Sequence, residues 1–209
     1  VCSGQEHSVI LSETGKVFSW GLGSRGQLGH GSLEREIQPR EIDSFVDINV
    51  ISIAVGSWHT LVLTDDNNMY SWGWNVNGQL CFSTSECKVQ TKPKLIKWSV
   101  CDEDNILIKK VSCGSRHTVI LTKNGLLYGC GWNNYGQLLI QNPNIIDTIT
   151  KLPLPKEFLC TDINCGAWNT AVFGKKGSNN PIMPHHCLTS TMDEQSNLQN
   201  KEQQKSVVI

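Results

Sequence analysis

Short apolar runs alternate with polar positions and are broken by glycine-bearing turns along the chain as far as residue 173. Ile51-Ser-Ile-Ala-Val55 and Lys110-Val-Ser-Cys113 show the period of two that turns one face of a strand inward. His59-Thr-Leu-Val-Leu-Thr64 and its equivalents are rich in β-forming residues. Each is followed by a turn: Glu13-Thr-Gly-Lys16, Asp65-Asp-Asn-Asn68 and Lys123-Asn-Gly125. Asn-Gly is a strong hairpin signal because both residues accept positive φ. Return strands are predicted at Lys16-Val-Phe-Ser-Trp20, Met69-Tyr-Ser-Trp72 and Leu126-Leu-Tyr-Gly-Cys130. A fourth, weaker strand is predicted near Glu41-Ile42 and Leu95-Ile-Lys-Trp98, after Pro39 and Pro93.

This pattern is a repeat. Residues 4–28, 56–80 and 114–138 align without gaps, each running from Gly-x-x-His-(Ser/Thr) through an aromatic-x-(Trp/Cys)-Gly step to Gly-Gln-Leu. The structural positions recur as Gly4, His7, Trp20 and Gly21; then Gly56, His59, Trp72 and Gly73; then Gly114, His117, Cys130 and Gly131. A fourth copy opens at Gly166-Ala-Trp-Asn-Thr and stops after Phe173. Spacing is rigid inside the unit and elastic outside it, the extra residues of the longest step lying between Leu80 and Gly114. A packed unit joined by surface loops explains both. Four short strands per unit of this length make one blade of a β-propeller.

The same residues resemble the regulator-of-chromosome-condensation repeat. The resemblance covers residues 1–173 and implies an all-β fold, a seven-bladed propeller of which about three and a half blades are present. Seven such units need roughly 360–400 residues, so the chain is expected to be a fragment lacking N-terminal blades, in keeping with Val1 where an initiator Met would stand. The sequence departs from the pattern at Cys130, which replaces a blade Trp, and at Asn169, which replaces the fourth His. Only the first unit continues as Leu-Gly-His-Gly (28–31). Gly-Trp-Asn at 73–75 and 131–133 is similar to the short, propeller-only members. That resemblance implies a non-enzymatic interaction propeller, a chromatin- or chromosome-associated adaptor for a regulatory enzyme such as a Jumonji-C dioxygenase. It places the protein in the nucleus, the cytoplasm or both. The family alternative is guanine-nucleotide exchange on a Ran-like small GTPase, through a carboxylate just before the repeat His. Those positions hold Glu6, Trp58, Arg116 and Trp168, so Glu6 alone could serve. A third partner class implied by the family is histones, met through arginines.

Charge adds an exclusion. Lys and Arg number 18 against 19 acids, a net charge of −1, with none of the basic excess of a nucleic-acid binder. No direct nucleic-acid contact is expected, and no apolar run is long enough to span a bilayer. The nine cysteines contain no Cys-x-x-Cys pair and are odd in number, which suggests free thiols in a reducing compartment and no zinc site.

Candidate chemistry is sparse. Gly21-Leu-Gly-Ser-Arg-Gly26 fits a dinucleotide fingerprint, but Gln-Leu-Gly-His-Gly is a poor helix start, so an interstrand turn is expected. No nucleophile–base set or metal spacing is present, and neither enzyme activity nor a cofactor is expected. The recurring His7, His59 and His117 read as structural, each with a hydrogen bond inside its own blade. Trp20 and Trp72 read as core or interblade wedges. Trp58, Trp74, Trp132 and Trp168 instead sit beside glycines at strand ends, where a propeller rim presents a binding surface. With Arg25 and Arg116 on similar loops they form the candidate partner-binding set, since Trp and Arg are enriched as interface anchors. Residues 174–209 are polar, without hydrophobic period, and are expected to be a disordered tail. Within it, Val207-Val-Ile209 could add as a strand to a PDZ-like groove, and His185, His186 and Cys187 read as incidental rather than metal-binding.

Overall fold

The computed structural model describes residues 1–98 and 106–176, together with the backbone of 205–208. His185, His186 and Cys187, and most of the segment read as a tail, lie outside the described residues.

Four antiparallel sheets follow one another along the chain. The first contains β1 (Cys2–Ser3), β2 (His7–Leu11), β3 (Val17–Gly21) and β4 (Glu36–Glu41). The second contains β5 (Val50–Val55), β6 (His59–Thr64), β7 (Met69–Trp74) and β8 (Val89–Leu95). The third contains β9 (Ile108–Cys113), β10 (His117–Thr122), β11 (Leu127–Trp132) and β12 (Ile145–Lys151). The fourth contains β13 (Phe158–Cys165), β14 (Thr170–Lys176) and β15 (Lys205–Val208). Each complete sheet is ordered as its strands occur in sequence, so it is one up-and-down propeller blade.

The outer strands begin earlier than the sequence suggests. β4 and β8 contain Pro39 and Pro93 instead of starting after them. The outer strand has only one paired side, so a missing N–H on its free edge costs the ladder nothing. The fourth sheet also extends beyond residue 173, since β14 runs to Lys176. β15 pairs with β14 through Val172↔Val207 and Ala171↔Val208, in the sheet position that β7 and β11 hold elsewhere. Strand addition by the C-terminal segment is thus seen within the chain itself.

The hydrophobic cores lie between blades. Leu61, Leu63 and Met69 of the second blade pack with Val111, Ile120 and Tyr128 of the third. Val9 and Val17 of the first meet Val62 and Trp72 of the second. Complete burial of such aliphatic side chains stabilises by about 1.5–3 kcal/mol each, so every blade depends on its neighbour.

Glycine makes the close approach at the axis possible. A Cβ on Gly56 would lie 2.5 Å from the carbonyl oxygen of Gly114, and one on Gly114 would lie 2.7 Å from that of Gly166. The same Cβ atoms would strike His59 and His117, whose rings fill the space beside the glycines. Those histidines correct the intrablade reading. Nε2 of His7 meets Oγ1 of Thr60 at 3.0 Å, His59 meets Thr118 at 3.1 Å, and His117 meets Thr170 at 3.1 Å, each partner belonging to the next blade. Thr118 and Thr170 donate their hydroxyl protons to the carbonyls of Gln79 and Gln137. Their oxygens therefore accept from His59 and His117, which fixes the Nε2–H tautomer of those two rings. Burial leaves these rings neutral, lowering His7 and His117 to about 4 and His59 to about 3.

Trp72 is a fully buried interblade wedge, and its indole N–H donates to the carbonyl of Gln27 in the preceding blade at 2.9 Å. Trp20 is only half-buried, on the side of the first blade against which no other described blade packs. Cys130 at the equivalent position is buried with its sulfur 2.8 Å from that of Cys81. The seven described cysteines are free thiols.

Candidate functional site

All candidate partner-binding residues stand at one end of the blades, opposite the hairpin that joins β6 to β7. Two local rules put them there. The residue before each repeat His lies in the bend between the first two strands. In the second and third blades the residue after the Trp-Gly or Cys-Gly step, Trp74 or Trp132, ends the third strand. Their backbones bond directly: the amide of Trp74 donates to the carbonyl of Trp58, and that of Trp132 to Arg116, both at 2.8 Å. The intervening glycine permits this closure. Gly73 has φ +107, and a Cβ there would lie 2.4 Å from the Trp58 carbonyl oxygen.

The Gly-Gln-Leu turn adds a further constraint. The Gln side chain accepts from the amide two residues before it, as in Gln27 with Arg25 and Gln137 with Tyr135. Asn75 and Asn133 anchor the loops of their blades. Asn75 receives the amide of Leu80 and donates to the carbonyls of Phe82 and Cys87. Asn133 treats Leu138, Ile140 and Pro143 alike. The Gly-Trp-Asn triplet thus couples a half-buried Trp to an Asn that holds the loop beneath it. That positioning role escaped the sequence, although the triplet itself was visible.

On this frame the side chains of successive blades meet. Trp58 packs edge-on against Trp74 with centroids 5.4 Å apart, and Trp132 against Trp168 at 5.2 Å. The Arg25 guanidinium lies 4.8 Å from the Trp58 ring and 5.5 Å from Trp74. Arg116 stands at the centre, 5.9 Å from Trp58, 5.2 Å from Trp74, 5.8 Å from Trp132 and 5.9 Å from Trp168. One cation therefore touches rings from three blades, within the range of cation–π attraction. Tyr135, 68% exposed, extends the row against Trp132 with centroids 5.1 Å apart. Its signal in the sequence is its repeat position, equivalent to that of Arg25.

Glu6 belongs to the same assembly. Its Oε2 accepts from Arg25 at 2.9 Å and from the indole N–H of Trp58 at 3.0 Å. The structure thus gathers Glu6, Arg25, Arg116 and the four tryptophans into one row, and leaves Trp20 apart. Among the described residues no cluster of three or more His, Cys, Asp or Glu side chains gathers as a metal site, and no helix is long and apolar enough to cross a membrane.

A propeller of Gly-His, Trp-Gly and Gly-Gln-Leu blades defines a class, and the chain belongs to the regulator of chromosome condensation (RCC1) repeat family, whose models match residues 14–63, 66–121 and, in a second form, 50–79 and 108–137. It is 31% identical over 204 residues to human RCC1 domain-containing protein 1, covering 81% of this chain and 54% of that protein. The chain spans about half the length of the curated relatives it matches. Human WBSCR16 shares the fold with a TM-score of 0.71 at 23% identity, over 83% of this chain and 44% of its own. Prp20p of Saccharomyces cerevisiae, described with its binding to Gsp1p and histones, gives a TM-score of 0.62 at 27% identity, over 81% of this chain and 41% of its own.

Proposed function

We propose that the chain is the interaction part of a non-enzymatic adaptor, in which the row of Trp58, Trp74, Trp132 and Trp168 with Arg25 and Arg116 receives a protein partner. The observation that carries this reading is the row itself: large rings brought together from three blades at one rim, with Trp168 46% exposed. Such rings supply contact area at small entropic cost, and interface energy concentrates on a few Trp, Tyr and Arg anchors. The interaction module is taken as the propeller repeats through Lys176, with the 205–208 strand added to the fourth sheet. By likeness to the short propeller-only relatives, the partner is a regulatory enzyme of the Jumonji-C dioxygenase class, met on chromatin in the nucleus or in the cytoplasm. Histones form a second partner class, supported by the description of Prp20p. The exchange-factor alternative draws on Glu6, and the engagement of that carboxylate by Arg25 and Trp58 argues against it.

The test uses the full chain. Trp74→Ala with Trp132→Ala should reduce capture of a purified Jumonji-C dioxygenase at least tenfold while the circular-dichroism spectrum and melting midpoint stay close to those of the parent. Unchanged capture would count against this reading. Accelerated nucleotide release from a Ran-type GTPase would favour the alternative.

A further inference from the structure

The rim contains one arginine whose charge the chain neutralises and one whose charge it does not. Arg25 lies over Trp58 and Trp74, and the Glu6 carboxylate faces it at 2.9 Å. The same carboxylate oxygen also receives the Trp58 indole N–H. That is a complete carboxylate site: two rings flanking a guanidinium, and an acid held by charge-assisted hydrogen bonds. Arg116 repeats the first half one blade further on, with four rings in place of two. Its guanidinium has no acid and no hydrogen-bond partner among the described residues, and its Nε is buried without one. Rings packed around a planar guanidinium remove water from its vicinity and leave its terminal N–H groups as its means of recognition. A carboxylate arriving there meets a fixed, partly desolvated fork of donors, where an ion pair is stronger than in open water.

We propose that Arg116 is the receptor for a single carboxylate side chain, Asp or Glu, presented by an acidic peptide segment of the partner. The partner's acid would do for Arg116 what Glu6 does for Arg25. A nucleic-acid phosphate is the less favoured source. Strand binding draws on several phosphates at once, whereas Arg25, the neighbouring cation of the row, is already paired. The inference rests on the adaptor reading and specifies the chemistry its partner must present.

The experiment titrates the full chain with an acetylated, amidated hexaglutamate peptide and follows tryptophan fluorescence, with hexaglutamine and a short oligothymidylate as parallel probes. A saturable change with hexaglutamate alone is expected. Arg116→Gln should weaken it at least tenfold, Arg116→Lys several-fold through loss of the planar fork, and Lys16→Gln, at the far end of β3, not at all. Circular dichroism checks the fold of each variant, and Arg116→Lys decides the matter if Arg116→Gln does not fold. Equal affinity of the folded arginine variants and the parent, no response to hexaglutamate, or tighter binding of the oligothymidylate overturns the proposal. If hexaglutamate fails while the paired Trp variants still lose the dioxygenase, the carboxylate inference alone falls. If hexaglutamate binds as expected while capture is untouched by the Trp substitutions, the adaptor reading falls and the Arg116 site stands.

Discussion

His7, His59 and His117 enter the native state without protons, and this links stability to pH in a definite direction. Unfolded, each has a pKa of about 6.5, whereas burial lowers the folded values to about 4, 3 and 4. Above pH 6.5 both states are neutral, and the full stability is present. As pH falls below 6.5 the unfolded chain binds protons that the native chain refuses, so stability drops by about 1.4 kcal/mol per histidine per pH unit until the folded values are passed. Urea midpoints should therefore change little at and above about pH 7.5 and fall steeply between about pH 6.5 and 4. His59→Asn, which copies the natural Asn169, should begin less stable and show a shallower slope in that window; an unchanged slope would assign the effect to carboxylates. The repeat position of these histidines was legible. Their partners were not, because a one-dimensional period carries no information about which neighbouring blade a side chain faces. Arg116 has the same history: its loop was visible, but its four rings come from sequence positions 58 to 168.

At the scale of strands and turns, one exchange is coupled across an interface. Between the first and second blades Trp72 covers Gly29, whose added Cβ would lie 2.8 Å from the indole nitrogen. Between the second and third, Cys130 takes the Trp position and Cys81 the glycine position. The backbone is unchanged, with φ of 66° at Cys81 and 80° at Gly29. A small filler on one side has allowed a side chain on the other. The carbonyl served by Trp72 at Gln27 is served at Gln79 by the Thr118 hydroxyl. Cys130→Trp alone should overpack the interface and cost about 1–3 kcal/mol. Adding Cys81→Gly should recover most of that, as a double-mutant cycle by chemical denaturation would show; simple additivity would refute the coupling. The sequence revealed Cys130 as a departure but not Cys81 as its counterpart, since the two are 49 residues apart and meet only through blade stacking. Strand order within blades was readable from turn chemistry. The starts of β4 and β8 were misplaced because proline was treated as a boundary, and on an outer edge it is not one.

For the molecule as a whole, cores shared between successive blades mean that stability is transmitted from neighbour to neighbour, as in other repeat arrays. Leu61 is fully buried in the core between the second and third blades. Leu61→Ala should cost about 2–5 kcal/mol and loosen both of those sheets, with amide exchange rising across β5 to β12 more than in β13 and β14. Uniform loss of protection would indicate a single cooperative unit instead. The His–Thr bonds carry a further consequence. Every one points from a blade to its successor, so the two sides of a blade are chemically different, and each junction is head-to-tail rather than self-complementary. Contacts of that kind propagate indefinitely unless the rotation between units brings the series back to its origin. Blade number in such a protein is therefore a question of angle: one more repeat needs no new kind of contact, only a slightly smaller turn at every joint.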